Sequence, residues 1–308
     1  MGAPSHITTP LLWRSDLLTQ GHSPDQIRWA LTSQRWLALR RGVYVERETF
    51  TALSHREQHL LNALAVHQSL NCDHVLSHHT ALAVHGLTPL HPLMDVTLTT
   101  HRDLRRHVVG AQVFTTRDLA LHRIDHDTPW GASLPVTSLA RTIVDIARTC
   151  DLPTALVAGE SALSQNIIQR SDWDDVLDQL PRWPGVTKAQ QSLDLATPHC
   201  ADPLLSWCRG IFLTLGLPSP LCSVAVSHQD HAVGRFDFVW PDQAVMVMLD
   251  RTDATTDVQL QRLRDLRKQE DLMRMQGYIV LTVTTHELIH QARAVVARIN
   301  SALARAAA

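Results

Sequence analysis

Gly234-Arg235-Phe236-Asp237-Phe238-Val239-Trp240 decides the fold of this chain, a short β-rich run with one carboxylate set among aromatic and β-branched neighbours. Two similar runs flank it, Cys222 to Val226 before and Ala244 to Leu249 after. Upstream, Pro203 to Leu215 carries helical spacing and is stopped by Gly216. Downstream, Val258 to Gln276 reads as a long charged helix stopped by Gly277. Tyr278 to Val283 reads as a strand and His286 to Ala304 as a last helix. Residues 196–308 therefore have the order α-β-β-β-α-β.

The other end has a different pattern. Leu11, Leu12, Leu17 and Leu18 give a short amphipathic helix that Gly21 ends. Ser23-Pro24-Asp25-Gln26 then offers an N-cap serine, proline at the first helical position and glutamine three residues after the cap, the signature of a capping box. Ile27, Ala30 and Leu31 share one face of that helix. Trp36 to Leu39 and Val43 to Val45 read as strands joined by a tight turn at Arg40-Arg41-Gly42. Helix, turn, helix and basic hairpin is the order of a winged helix-turn-helix, assigned to residues 1–48.

Between these ends, residues 49–195 read as a mixed α/β middle domain. Helices are expected from Ala52 to Leu70, from Ser77 to Gly86, from Ser138 to Cys150 and from Leu152 to Gln165. Val96 to Thr99 and Val113 to Thr115 read as strands, and Pro181, Pro184 and Gly185 mark a loop. Patterning alone assigns no chemistry to this segment. The fold class of the whole is α+β.

Composition narrows the function classes. With 44% hydrophobic and 19% charged residues, the 308-residue chain is globular in type. It has no apolar run long enough to span a membrane and no secretory leader pattern, so a cytoplasmic location is expected. A net charge of −2 argues against one large phosphate-binding surface but allows a local basic patch. Five scattered cysteines (Cys72, Cys150, Cys200, Cys208 and Cys222) read as buried thiols, not as a zinc site. Among 19 histidines, His286-Glu287-Leu288-Ile289-His290 matches the HExxH zinc-protease pattern. No His, Asp, Glu or Cys follows His290 to supply the third ligand, so the match is read as chance. His78, His79 and His85 cluster without an acidic partner and are read the same way. No metal or other cofactor is expected.

Several stretches resemble one family when taken in order. Leu39 to Val45 resembles the wing of AbiEi-family antitoxins, type IV antitoxin-like proteins with an N-terminal winged helix. Leu76-Ser77-His78-His79-Thr80-Ala81-Leu82, ending at Gly86-Leu87, is similar to a segment of the same proteins, as is Pro135 to Thr142 with Asp145 downstream. Gly234 to Trp240 and Arg264-Asp265-Leu266-Arg267-Lys268, with Gly277-Tyr278 beyond, resemble the very-short-patch-repair endonucleases of the PD-(D/E)XK type. The resemblance implies a DNA-binding, antitoxin-like transcriptional regulator with a restriction-endonuclease-like C-terminal domain. Double-stranded DNA is the implied partner, and a toxin or other protein, or a second copy of the chain, could be another.

Carried over residue by residue, the nuclease end falls short. Such enzymes hold a divalent cation with carboxylates on adjacent strands. Asp237 stands at the first carboxylate. The family's Glu, intervening residue, Asp and Gly read here Met248, Leu249, Asp250 and Arg251, and methionine offers Mg²⁺ no oxygen. The helix Glu expected after Ser-Pro-Leu is replaced by Leu205 after Asp202-Pro203-Leu204. Only Asp237 and Asp250 remain, with Asp253 nearby, which marks a degenerate site and a protein that is not an enzyme; Mg²⁺ enters only if an alternative divalent-metal endonuclease reading holds. Arg264 and Arg267 lie in a charged helix read as a solvated face.

At the DNA-binding end, Arg40 and Arg41 at the hairpin tip are the expected phosphate contacts, followed by Arg28 and Arg35. Gln26 and Thr32 could reach base edges. Asp25 opposes phosphate at the helix start, and six arginines against four carboxylates leave residues 1–50 only slightly basic. A third class, a protein-interaction module with no nucleic-acid role, fits the same features.

Overall fold

Ser23 caps its helix as the sequence requires. The Gln26 N–H donates to Ser23 Oγ at 3.1 Å and the Ser23 N–H to Gln26 Oε1 at 2.7 Å, closing the capping box. The computed structural model describes residues 9–87, 89, 93, 95–101, 108–116, 119–200, 202–228, 231–251 and 270–306. The fold is α+β, divided into two compact units, residues 1–149 with 168–190 and residues 150–167 with 191–308. Of the described helices, none is long and apolar enough to cross a membrane.

The first unit begins with β1 (Leu12–Trp13), α1 (Arg14–Thr19) and α2 (Pro24–Thr32), then the hairpin β2 (Trp36–Arg40) and β3 (Val43–Glu46). The expected amphipathic helix over Leu11 to Leu18 is corrected at its start. Leu12 and Trp13 pair with Tyr44 and Val43, so a strand precedes the helix and the sheet order is β1-β3-β2. Leu17, Ile27, Ala30, Trp36 and Tyr44 form the small core beneath. Gly42 takes φ +82° at the hairpin turn, a conformation that L side chains avoid.

The expected helix from Ala52 to Leu70 forms as α4 (His55–Ser69), started by a second capping box at Ser54 and Glu57, and a short helix, α3 (Arg47–Ala52), precedes it. Next come β4 (His74–Leu76), α5 (His78–Val84), β5 (Val96–Thr100), β6 (Ala111–Thr115), β7 (Arg123–Asp127), β8 (Ser133–Thr137) and α6 (Leu139–Thr149). Their five-stranded sheet has the order β6-β5-β4-β8-β7. β4, β7 and β8 were not read from sequence, since β4 is three residues long and β7, Arg-Ile-Asp-His-Asp, lacks a β-rich pattern. Leu61, Leu64, Leu76, Leu98, Leu134 and Val136 pack its core. The α8 helix (Arg170–Gln179) packs on α6.

In the second unit α7 (Leu152–Ser164), expected in the middle segment, packs instead on α10 (Pro203–Thr214). The sheet order is β12-β11-β10-β9, from β9 (Leu221–His228), β10 (His231–Trp240), β11 (Val245–Asp250) and β12 (Ile279–Thr284). Its first three strands are antiparallel neighbours and β12 runs parallel to β11. A parallel neighbour requires a crossover, the topological counterpart of the helix expected between β11 and β12. Residues 270–275 are helical. The rest of that expected helix, with Arg264, Arg267 and Lys268, lies outside the described residues, as does Asp253. Phe212, Phe238, Trp240, Val247, Val283 and Ile299 anchor the larger core cluster. The helix α9 (Val186–Asp194) contains the division between the units.

The cysteine reading is corrected in part. Cys200 and Cys222 form a disulfide with Cα atoms 5.6 Å apart, Cys208 is a buried thiol, and Cys72 and Cys150 are half-buried.

Candidate functional site

The α2 helix packs Ile27 and Ala30 inward, which turns Asp25, Gln26, Arg28, Trp29 and Thr32 to the exterior. Gln26, Arg28 and Thr32 each have a local engagement. Gln26 lends its carbonyl oxygen to the capping box, so only its amide NH₂ is available to a base edge. Arg28 pairs with Asp25 at 3.0 Å, both being exposed, a pairing that weakens the cation toward phosphate. The Thr32 hydroxyl donates to the Trp29 carbonyl at 3.1 Å. Arg35 and Arg41 are exposed. Arg40 is half-buried with one terminal guanidinium nitrogen enclosed and without a hydrogen-bond partner, and burial lowers its pKa. The two arginines of the hairpin tip thus differ, with Arg41 turned to solvent and Arg40 folded in. Sequence reasoning passed over Trp29, which is 62% exposed on the face beside Arg28. A tryptophan that breaks the apolar stripe of an amphipathic helix is the signal that would have found it.

At the other end, Asp237 and Asp250 stand on neighbouring strands, β10 and β11. Asp237 Oδ2 accepts the Leu249 N–H at 2.6 Å, and Asp237 Oδ1 faces an Arg251 amine at 3.7 Å. The other Arg251 amine is paired with Asp202, whose second oxygen caps α10 by accepting from the Leu204 N–H at 2.8 Å. Asp250 closes β11 opposite Thr284. Met248 is buried in the cluster of Phe236, Val239 and Met246.

This donor set does not fit Mg²⁺. That ion demands several oxygens at near-octahedral angles. Here one oxygen of Asp237 is spent on a backbone amide, and the guanidinium of Arg251 bridges the carboxylates of β10 and of the α10 cap. An arginine from the end of β11 supplies the positive charge between Asp202 and Asp237. No group of three His, Cys, Asp or Glu side chains suited to a metal exists among the described residues. Millimolar Mn²⁺ is therefore expected to leave the melting temperature of the wild-type chain unchanged. Arg251→Ala removes the shared cation and should introduce a Mn²⁺-dependent rise in melting temperature; an equal rise in the wild type would show that the guanidinium does not hold the place.

HExxH resolves as a helix start. Glu287 accepts the Thr284 N–H at 2.8 Å while its own N–H donates to Thr284 Oγ1 at 3.1 Å, another capping box. These bonds, the backbone one foremost, hold the Glu287 carboxyl below the usual glutamate range, and Arg298 pairs with it at 3.2 Å. A carboxylate so engaged is a cap and not a general base. His286 and His290 are both exposed with ring centroids 4.4 Å apart.

No protein-family model matches the chain. No curated protein is detectably similar. Among solved structures, the crystal structure of the RV2827C protein from Mycobacterium tuberculosis is similar at 14% identity, with a TM-score of 0.39, over 70% of this chain and 78% of that one. A likeness of this size carries no argument about function.

Proposed function

We propose that the chain is a DNA-binding transcriptional regulator of the antitoxin-like kind, acting in the cytoplasm, with a nuclease-like C-terminal domain that no longer cuts. The observation that carries the reading is the exposed face of α2, where Arg28, Trp29 and Thr32 stand clear of the Ile27–Ala30 core, together with exposed Arg35 and Arg41. In a winged helix-turn-helix the second helix enters the major groove and the hairpin meets flanking phosphates. Trp29 would give an apolar surface of the kind that meets a thymine methyl group, and Arg41 a phosphate contact. Cleavage is left out of the proposal because Asp237 is engaged by the Leu249 amide and faces Arg251. A second reading, a protein-interaction module, rests on the same Trp29, since an exposed tryptophan also anchors protein partners.

The test is a titration of the full chain against duplex DNA from its own promoter at two salt concentrations, with unrelated competitor DNA present. Arg41→Ala should weaken binding alike on every sequence and reduce the salt slope by about 1, the release expected from one phosphate contact. Trp29→Ala should weaken the promoter selectively. Absence of DNA affinity at low salt, with one stoichiometric protein partner recovered through Trp29, would favour the interaction module.

A further inference from the structure

Two of the family-like stretches converge on a feature that neither predicts. Thr115 closes β6, and Phe114 beside it stacks on His78 from the first stretch, with ring centroids 3.6 Å apart. Arg141 and Asp145 belong to the second stretch, on α6, and Arg148 follows one turn later. The segment 181–184 returns against the end of α6, where the Arg148 Nε–H donates to the Pro184 carbonyl at 2.8 Å. Between them lies a cleft of about 710 Å³ lined by His101, Thr115, Thr116, Arg148, Arg182 and Trp183.

The electrostatics of this cleft are unbalanced. Asp145 is 2% exposed and divides its two oxygens between Arg141 Nε at 2.8 Å and an Arg148 terminal nitrogen at 2.7 Å. Both guanidinium carbons also lie near the Trp183 ring, 4.1 Å from its centroid for Arg141 and 4.7 Å for Arg148. One terminal nitrogen of Arg141 is buried and has no hydrogen-bond partner. Arg182 stands exposed at the rim with no ion-pair partner among the described residues. Among the described residues, three arginines in and behind the cleft therefore face one carboxylate, a formal excess of two positive charges, and no acidic residue lines it. Burial raises the Asp145 pKa against the pull of its two arginines, and burial is also the main cause that lowers Arg148. Cationic excess in a partly enclosed site is relieved by an anion.

We propose that this cleft binds a phosphate monoester, its dianion matched to the twofold cationic excess. Guanidinium forks and threonine hydroxyls are donors suited to phosphate oxygens. The volume lies in the range of small-molecule sites, about 300–1,000 Å³. Trp183 supplies an apolar wall for the organic part. The site is independent of the DNA-binding reading and stands or falls without it.

The experiment is calorimetric titration of the full chain, at matched ionic strength, with inorganic phosphate, phenyl phosphate and benzoate. Phenyl phosphate should bind at least tenfold more tightly than benzoate, which has the ring but a single charge, and more tightly than inorganic phosphate, which lacks the ring. Arg182→Gln alters an exposed side chain and leaves the buried network intact, so the variant should keep its melting temperature and lose tenfold or more in phenyl phosphate affinity. Benzoate binding as tightly as phenyl phosphate would overturn the assignment, as would Arg182→Gln binding as the wild type does. Displacement of phenyl phosphate by short duplex DNA at equivalent phosphate concentration would also overturn it, in favour of a nucleic-acid backbone in the cleft.

Discussion

Replacing Arg209 with leucine is expected to cost about 3–5 kcal/mol of stability at pH 8, the usual penalty for leaving one member of a buried ion pair without its partner. Arg209, on α10, donates to Glu160 Oε1 of α7 at 2.6 Å, with side chains 5% and 0% exposed. It also donates to the Leu195 carbonyl at 2.8 Å and to Ser219 Oγ at 3.0 Å, so one guanidinium ties three parts of the second unit together. Burial pushes the Glu160 pKa up to about 7 even with the arginine in place. Because the folded-state value is raised above the usual 4.5, protonation favours the folded chain. That contribution is full below about pH 4.5 and is lost as the pH rises through about 7. The Arg209→Leu penalty should accordingly shrink toward pH 5, where Glu160 is neutral in the variant. Urea denaturation at pH 5 and pH 8 measures both values. An equal loss at the two pH values would mean that the arginine acts through packing and not through the Glu160 charge. Glu160→Gln should flatten the pH dependence of the wild type between these limits.

Gly210→Ala is expected to destabilise the same helix pair strongly, although alanine is the better helix former by about 1 kcal/mol. A Cβ at position 210 would lie 2.4 Å from Pro153 Cα and 3.0 Å from Pro153 N, both in the first turn of α7. These are backbone atoms held by a proline ring, so the helices must separate to admit a methyl group. Overpacking of this kind costs about 1–3 kcal/mol, and here the obstacle is rigid, which sets the expectation at the upper end. Clash outweighs propensity, and the melting temperature should fall. An unchanged or raised melting temperature would show that α7 and α10 can part without loss.

Both predictions concern a contact that the sequence concealed. Residues 152–165 were legible as a helix, but their periodicity gave no indication that they pack with the C-terminal unit. Glu160 and Arg209 are 49 positions apart, and each taken alone resembles any polar residue in an apolar helix. The candidate sites divide in the same way. Asp237 and Asp250 were visible as remnants of a carboxylate set, and Met248 as a loss. That Arg251 reaches back to Asp202 was not visible, because it depends on where the cap of α10 comes to rest beside β10 and β11. Gln26 was read both as a cap and as a base reader, and the capping role claims its carbonyl oxygen.

The sequence by itself determined the α+β class, the helix start at Ser23 and the run of three strands around Asp237. Those features follow from interactions between residues a few positions apart: a hydroxyl and an amide three residues on, a glycine at a turn, apolar residues at fixed spacing. The tertiary structure alone decided the partnership of α7 with α10, the guanidinium between two carboxylates, and the arginine-lined cleft beside Trp183. Each is a meeting of charges and surfaces far apart in the chain, fixed by how helices and sheets pack once formed, and no local preference encodes those distances.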